Sequence, residues 1–123
     1  MESAIFKEID TFVDGFLTDF FGPFRANLKE GYATDLSNFL FQHYQKCVNE
    51  SNDTVTKWQN EGIEITKEVY QGLIYDICWD NHINSSKSSM VPSFCCEDEK
   101  NPTHLCYDFL SKLAVKYRLA KLT

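Results

Sequence analysis

The segment Thr66–His82, TKEVYQGLIYDICWDNH, constrains the fold more than any other stretch of the chain. Thr66 is placed to cap a helix. Val69, Tyr70, Leu73, Ile74, Ile77 and Cys78 then follow at three- and four-residue steps, the spacing that lines one face of an α-helix. At about 100° per residue, Gly72, Tyr75, Asp76 and Trp79 gather on the other side. A helix with an apolar front and an aromatic back is either enclosed by neighbours or carries a binding surface. The spacing favours a central helix with neighbours on both sides.

The flanking segments supply those neighbours. Ile5, Ile9, Phe12, Val13, Phe16, Leu17 and Phe20 form an apolar stripe that Gly22-Pro23 ends, which predicts a helix over 3–21. Gly15, inside that stripe, is expected at a close approach. A helix over 34–49 carries Leu36, Phe39, Leu40, His43, Tyr44 and Cys47 inward, and Ser51-Asn52-Asp53 breaks it. The last helix, over 103–121, opens with Asn101-Pro102 as cap and first position. It turns Leu105, Cys106, Phe109, Leu110, Leu113, Ala114, Tyr117 and Ala120 inward. The expectation is an all-α bundle of four principal helices in one domain, 1–123. TVTKW and the following IEI also alternate as strands do, so the alternative is α+β with a small hairpin at 54–65. Residues 85–102 make a connection far longer than compact domains commonly use.

Composition narrows the function classes. With 43% hydrophobic and 15% aromatic residues the chain builds a real core, which argues against disorder. The net charge of −6 disfavours nucleic acid and anionic membrane as direct partners and suits a basic protein. The start MESAIFKEIDTF has no basic region followed by an apolar core, and no apolar run is long enough to span a bilayer. The expected location is the cytoplasm, where Cys47, Cys78, Cys95, Cys96 and Cys106 are thiols.

Six residues offer soft or imidazole ligands: Cys78 and His82 four apart, adjacent Cys95 and Cys96, and His104 with Cys106. No C-x-x-C pair preorganises them, so neither a metal nor a cofactor is expected, and buried packing is the commoner role of free cysteine. There is no nucleophile elbow, no phosphate-cradling loop and no dinucleotide fingerprint, so no catalytic activity is expected. The binding surface expected instead combines Tyr75, Asp76 and Trp79 with Asp10, Asp14 and Asp19 of the first helix and Glu97, Asp98 and Glu99 of the long connection. That surface suits a small acidic inhibitor, of the immunity or antitoxin type, that neutralises a basic partner such as a nuclease toxin. The alternatives are a small helical protein with a Cys/His metal or thiol site, or an enzyme. Val115, Leu119 and Leu122 fall together on the last helix and, if exposed, would form a patch for a second copy of the chain.

Overall fold

The computed structural model describes residues 2–28, 30–84, 102–119 and 121. Among them the chain is all-α, with no strand. Helix α1 is Glu2–Phe21, α2 is Tyr32–Asn60, α3 is Lys67–Asn84 and α4 is Pro102–Ala114. A 3-10 turn, Gly22–Asn27, follows α1, and a π-helical turn, Val115–Leu119, continues α4. No helix among the described residues is long and apolar enough to cross a membrane.

The chain gathers into two compact units, Met1–Gln42 and His43–Thr123, with the boundary inside α2. In the first unit Ile5, Ile9, Val13, Phe16 and Leu17 of α1 are buried, as are Leu36, Ser37 and Leu40 of α2. Phe6 and Phe41 meet edge to face, and Ser37 donates a hydrogen bond to Asp10 at 3.0 Å. Arg25, in the turn that Gly22-Pro23 imposes, reaches back to α1, where its guanidinium pairs with the Asp14 carboxylate at 2.5 Å and bonds the Asp14 carbonyl and Thr18. Phe20, expected inside, is exposed. Gly15 is exposed too, with nothing within 4 Å of where a Cβ would stand, so no close approach explains it.

The second unit holds the rest of α2, α3 and α4. Its core is Tyr44, Val48 and Val55 of α2, Tyr70, Ile74 and Cys78 of α3, and Cys106, Tyr107, Leu110, Leu113 and Ala114 of α4. The expected break at 51–53 does not occur. Ser51 lies on the buried line of α2, one turn after Cys47 and one before Val55, and its hydroxyl donates to the Val48 carbonyl at 2.6 Å. A serine satisfied by its own helix does not compete with that helix. The hairpin alternative at 54–65 is therefore corrected: 54–60 is helical, and 63–66 is extended without being a strand.

The end of α2 is set by Gly62, at φ 81°. Ile63 N–H bonds the Trp58 carbonyl at 2.9 Å and Gly62 N–H bonds that of Gln59 at 3.1 Å. This paired pattern closes a helix around a left-handed residue. Helix α3 begins at its expected cap, where Thr66 Oγ1 accepts the Val69 N–H at 3.2 Å.

Helix α4 buries Tyr107 and Ser111, neither of which the apolar spacing singles out, while Leu105 is exposed. The π-helical turn changes the register after Ala114, because i→i+5 bonding widens the turn. Leu119 is buried as a result. The proposed stripe of Val115, Leu119 and Leu122 is thus not an open surface at its middle residue, and Leu122, like Ala120, lies outside the described residues.

Two glycines yield opposite outcomes. Gly62→Ala should lower stability by about 1–2 kcal/mol, the cost of a left-handed side-chain-bearing residue, since no neighbour obstructs the methyl group. Gly15→Ala, in an exposed helix interior, should raise stability by about 0.5–1 kcal/mol. Urea titration of the two variants measures both.

Candidate functional site

Helix α3 has three sides, and each does a different thing. Tyr70, Ile74 and Cys78 are fully buried at four-residue steps, with Asn81 continuing that side towards α2. Tyr75 and His82 lie beside α4. Glu68, Gly72, Asp76 and Asp80 are exposed. The helix is therefore not enclosed all round; Val69, expected on the apolar front, also lies exposed.

On the side towards α4 an aromatic and imidazole cluster forms. The Tyr75 hydroxyl and His104 Nδ1 are hydrogen-bonded at 2.7 Å, and the Tyr107 hydroxyl and His82 Nδ1 at 3.0 Å. Trp79 stacks on Tyr75, with ring centroids 6.2 Å apart, and meets Tyr107 edge-on at 6.3 Å. Tyr107 in turn stacks on His43 at 4.9 Å. Burial pushes the Tyr107 hydroxyl above its ordinary range and, helped by the charge of His43, pulls His82 below its own. Tyr75 and Trp79 thus have substantial intrachain packing. They remain half-buried at the border of the acidic side, next to exposed Asp76.

On the side towards α2 the structure brings together His43, Cys47 and Cys78. A ring nitrogen of His43 and the two sulfur atoms all lie within 4.8 Å of one another. Both cysteines are fully buried, and Cys78 Sγ donates to Cys47 Sγ across 3.0 Å. His43 Nε2 lies 3.3 Å from the Cys78 carbonyl, which can only accept, so this nitrogen carries a proton. Asn81 Nδ2 is bonded to the Glu50 carboxylate at 2.8 Å and to the Ile77 carbonyl at 2.9 Å, and it stands 4.0 Å from Cys47 Sγ.

The two thiols are electrostatically unlike. The hydrogen bond from Cys78, aided by His43, lowers the Cys47 thiol below its ordinary range against the opposing effect of burial. Cys78, held as the donor and buried, is pushed well above the usual thiol range. A thiolate stabilised by a neighbouring thiol and imidazole is both a nucleophile and a soft-metal ligand.

The ligand set weighed from the sequence is not the one the fold assembles. Cys78 belongs to the cluster, but the Nδ1 atoms of His82 and His104 bond tyrosines, and Cys106 is buried with its thiol pushed up to about 12 by burial alone. Cys95 and Cys96 lie outside the described residues, as do Glu97, Asp98 and Glu99. Sequence reasoning placed His43 and Cys47 on the inner side of their helix as core residues and missed their partnership. The available signal was their own four-residue spacing, the same one that singled out Cys78 and His82. Of the acidic residues, Asp10 accepts from Ser37, Asp14 pairs with Arg25, and Asp19 is exposed.

Ultraviolet absorbance of the thiolate should rise with a midpoint below the ordinary thiol value of about 8.5 in the reduced, metal-free chain. Cys47→Ser should remove that transition. Cys78→Ala, which deletes the donor, should move it up towards the ordinary thiol value of about 8.5. A wild-type transition already at the ordinary value would contradict the assigned donor and acceptor. Compared with known protein families, with curated proteins and with solved structures, the chain matches none.

Proposed function

We propose that the chain is a non-catalytic protein-binding module that neutralises a basic protein partner, in the manner of an inhibitor, immunity protein or antitoxin. The observation that carries this reading is the open side of α3, where exposed Glu68, Asp76 and Asp80 run beside the half-exposed Tyr75–Trp79 pair. Carboxylates accelerate encounter with a basic surface, whereas a partly buried aromatic edge slows release. A net charge of −6 and the exposure of Asp10 and Asp19 support the same partner chemistry. The connection bearing Glu97, Asp98 and Glu99 would add to it. The reading carries a cytoplasmic location, where reduced thiols persist. A second copy of this chain is the weaker partner, because Leu119 is buried rather than offered.

Trp79 is a poor first target, since truncating a residue packed on Tyr75 and Tyr107 costs about 3–5 kcal/mol of stability when such a ring is core. Charge reversal is cleaner. Exposed Asp76→Lys and Asp80→Lys should each leave stability within about 0.5 kcal/mol. With a partner captured from the native host, the double variant should associate about tenfold more slowly or worse. Wild-type association should also slow as salt shortens the Debye length from about 30 Å to about 8 Å. Association that is indifferent to both changes would remove this reading.

A further inference from the structure

The geometry points to a metal site: His43, Cys47 and Cys78 together bind one thiophilic divalent cation, zinc being the reference ion, with a fourth position left to water. Three independent features converge on it. His43 and Cys47 stand four residues apart on α2, so both side chains leave the same face of one rigid element. Cys78 reaches them from α3, with a ring nitrogen and both sulfurs already within 4.8 Å of one another. The Cys78 carbonyl accepts from His43 Nε2–H and so holds the imidazole in place beside the two sulfurs. A second partner fixing the imidazole in this way is what metal-binding histidines characteristically have.

The third ligand distinguishes a metal from the other use of two adjacent thiols. Tetrahedral zinc with bonds of about 2.3 Å to sulfur separates two sulfurs by about 3.8 Å, so the observed 3.0 Å must open by about 0.8 Å, a small side-chain rotation. A disulfide, at about 2.05 Å, would have no use for the imidazole that stands within 4.8 Å of both sulfurs. Metal entry releases the Cys78 proton and replaces the thiol–thiol hydrogen bond with two sulfur–metal bonds, so affinity rises with pH. Asn81, held by the Glu50 carboxylate and the Ile77 carbonyl, lines the cluster 4.0 Å from Cys47 Sγ.

This site does not depend on the protein-binding reading, since the acidic side of α3 faces away from Cys78. The test is titration of the reduced full chain with cobalt(II), then competition by zinc(II) against a chromogenic chelator. The expected result is one ion per chain, with the visible bands of four-coordinate cobalt and a thiolate-to-metal charge-transfer band. Cys47→Ser, Cys78→Ser and His43→Gln should each weaken binding about a hundredfold or more, beyond the 10–100-fold typical of groups that merely orient a ligand. Cys106→Ala should leave affinity unchanged. A cobalt spectrum without charge transfer overturns the site, as does binding that survives Cys47→Ser or is lost with Cys106→Ala. So does a chain that takes up no metal yet converts the two thiols to a disulfide with peroxide. The wild-type cobalt spectrum and the stoichiometry of binding decide the matter even where a variant fails to fold.

Discussion

Two buried sulfur atoms 3.0 Å apart join α2 to α3. Sulfur is large and polarisable, and in a core it commonly acts as a small hydrophobe. Here its weak polarity is used: one thiol donates, the other accepts, and an imidazole stands beside them. The arrangement gives each sulfur a polar neighbour. It also concentrates ionisation on Cys47, because one partner's proton stabilises the other's charge. The Asn81 amide extends the polar network to Glu50, so the junction ends in an exposed carboxylate.

From this junction the three sides of α3 follow. Tyr70, Ile74 and Cys78 recur every four residues and carry the burial. The next side of the helix meets α4 through two tyrosine–histidine hydrogen bonds, which connect His82, Tyr107 and, by stacking, His43. The thiol cluster and the aromatic cluster therefore share one ring contact. A cost accompanies the core: among the described residues the Tyr70 hydroxyl and Arg118 Nε are buried without hydrogen-bond partners, although Arg118 also donates to Asn52 at 3.0 Å. An unsatisfied buried donor costs about 1–3 kcal/mol. The remaining side of α3 is left to carboxylates and water.

Much of the fold was legible in local pattern. The apolar stripe of α1, the stop at Gly22-Pro23, the Thr66 cap and the all-α class all follow from periodicity and end signals that act within a few residues. What was not legible depended on tertiary contact. Ser51-Asn52-Asp53 has the composition of a break, but a buried Ser51 bonded to its own helix continues it. Leu119 turns inward because a π-helical turn alters the register that an α-helical wheel assumes. His43 and Cys47 looked like core because nothing in their segment announces Cys78, thirty-one residues further on. The aromatic back of α3 was recognised as unusual, yet its sharing between α4 and solvent is set by His104 and Tyr107.

The central claim is that Cys47 and Cys78 act as one unit. A double-mutant cycle with Cys47→Ala, Cys78→Ala and the double variant, followed by urea unfolding in reducing, chelator-containing buffer, measures it directly. Groups in contact show coupling of about 0.5–3 kcal/mol, so the double variant should cost less than the two single variants together by an amount in that range. Effects that add to within about 0.3–0.5 kcal/mol would mean that the two sulfurs are merely neighbours in a packed core.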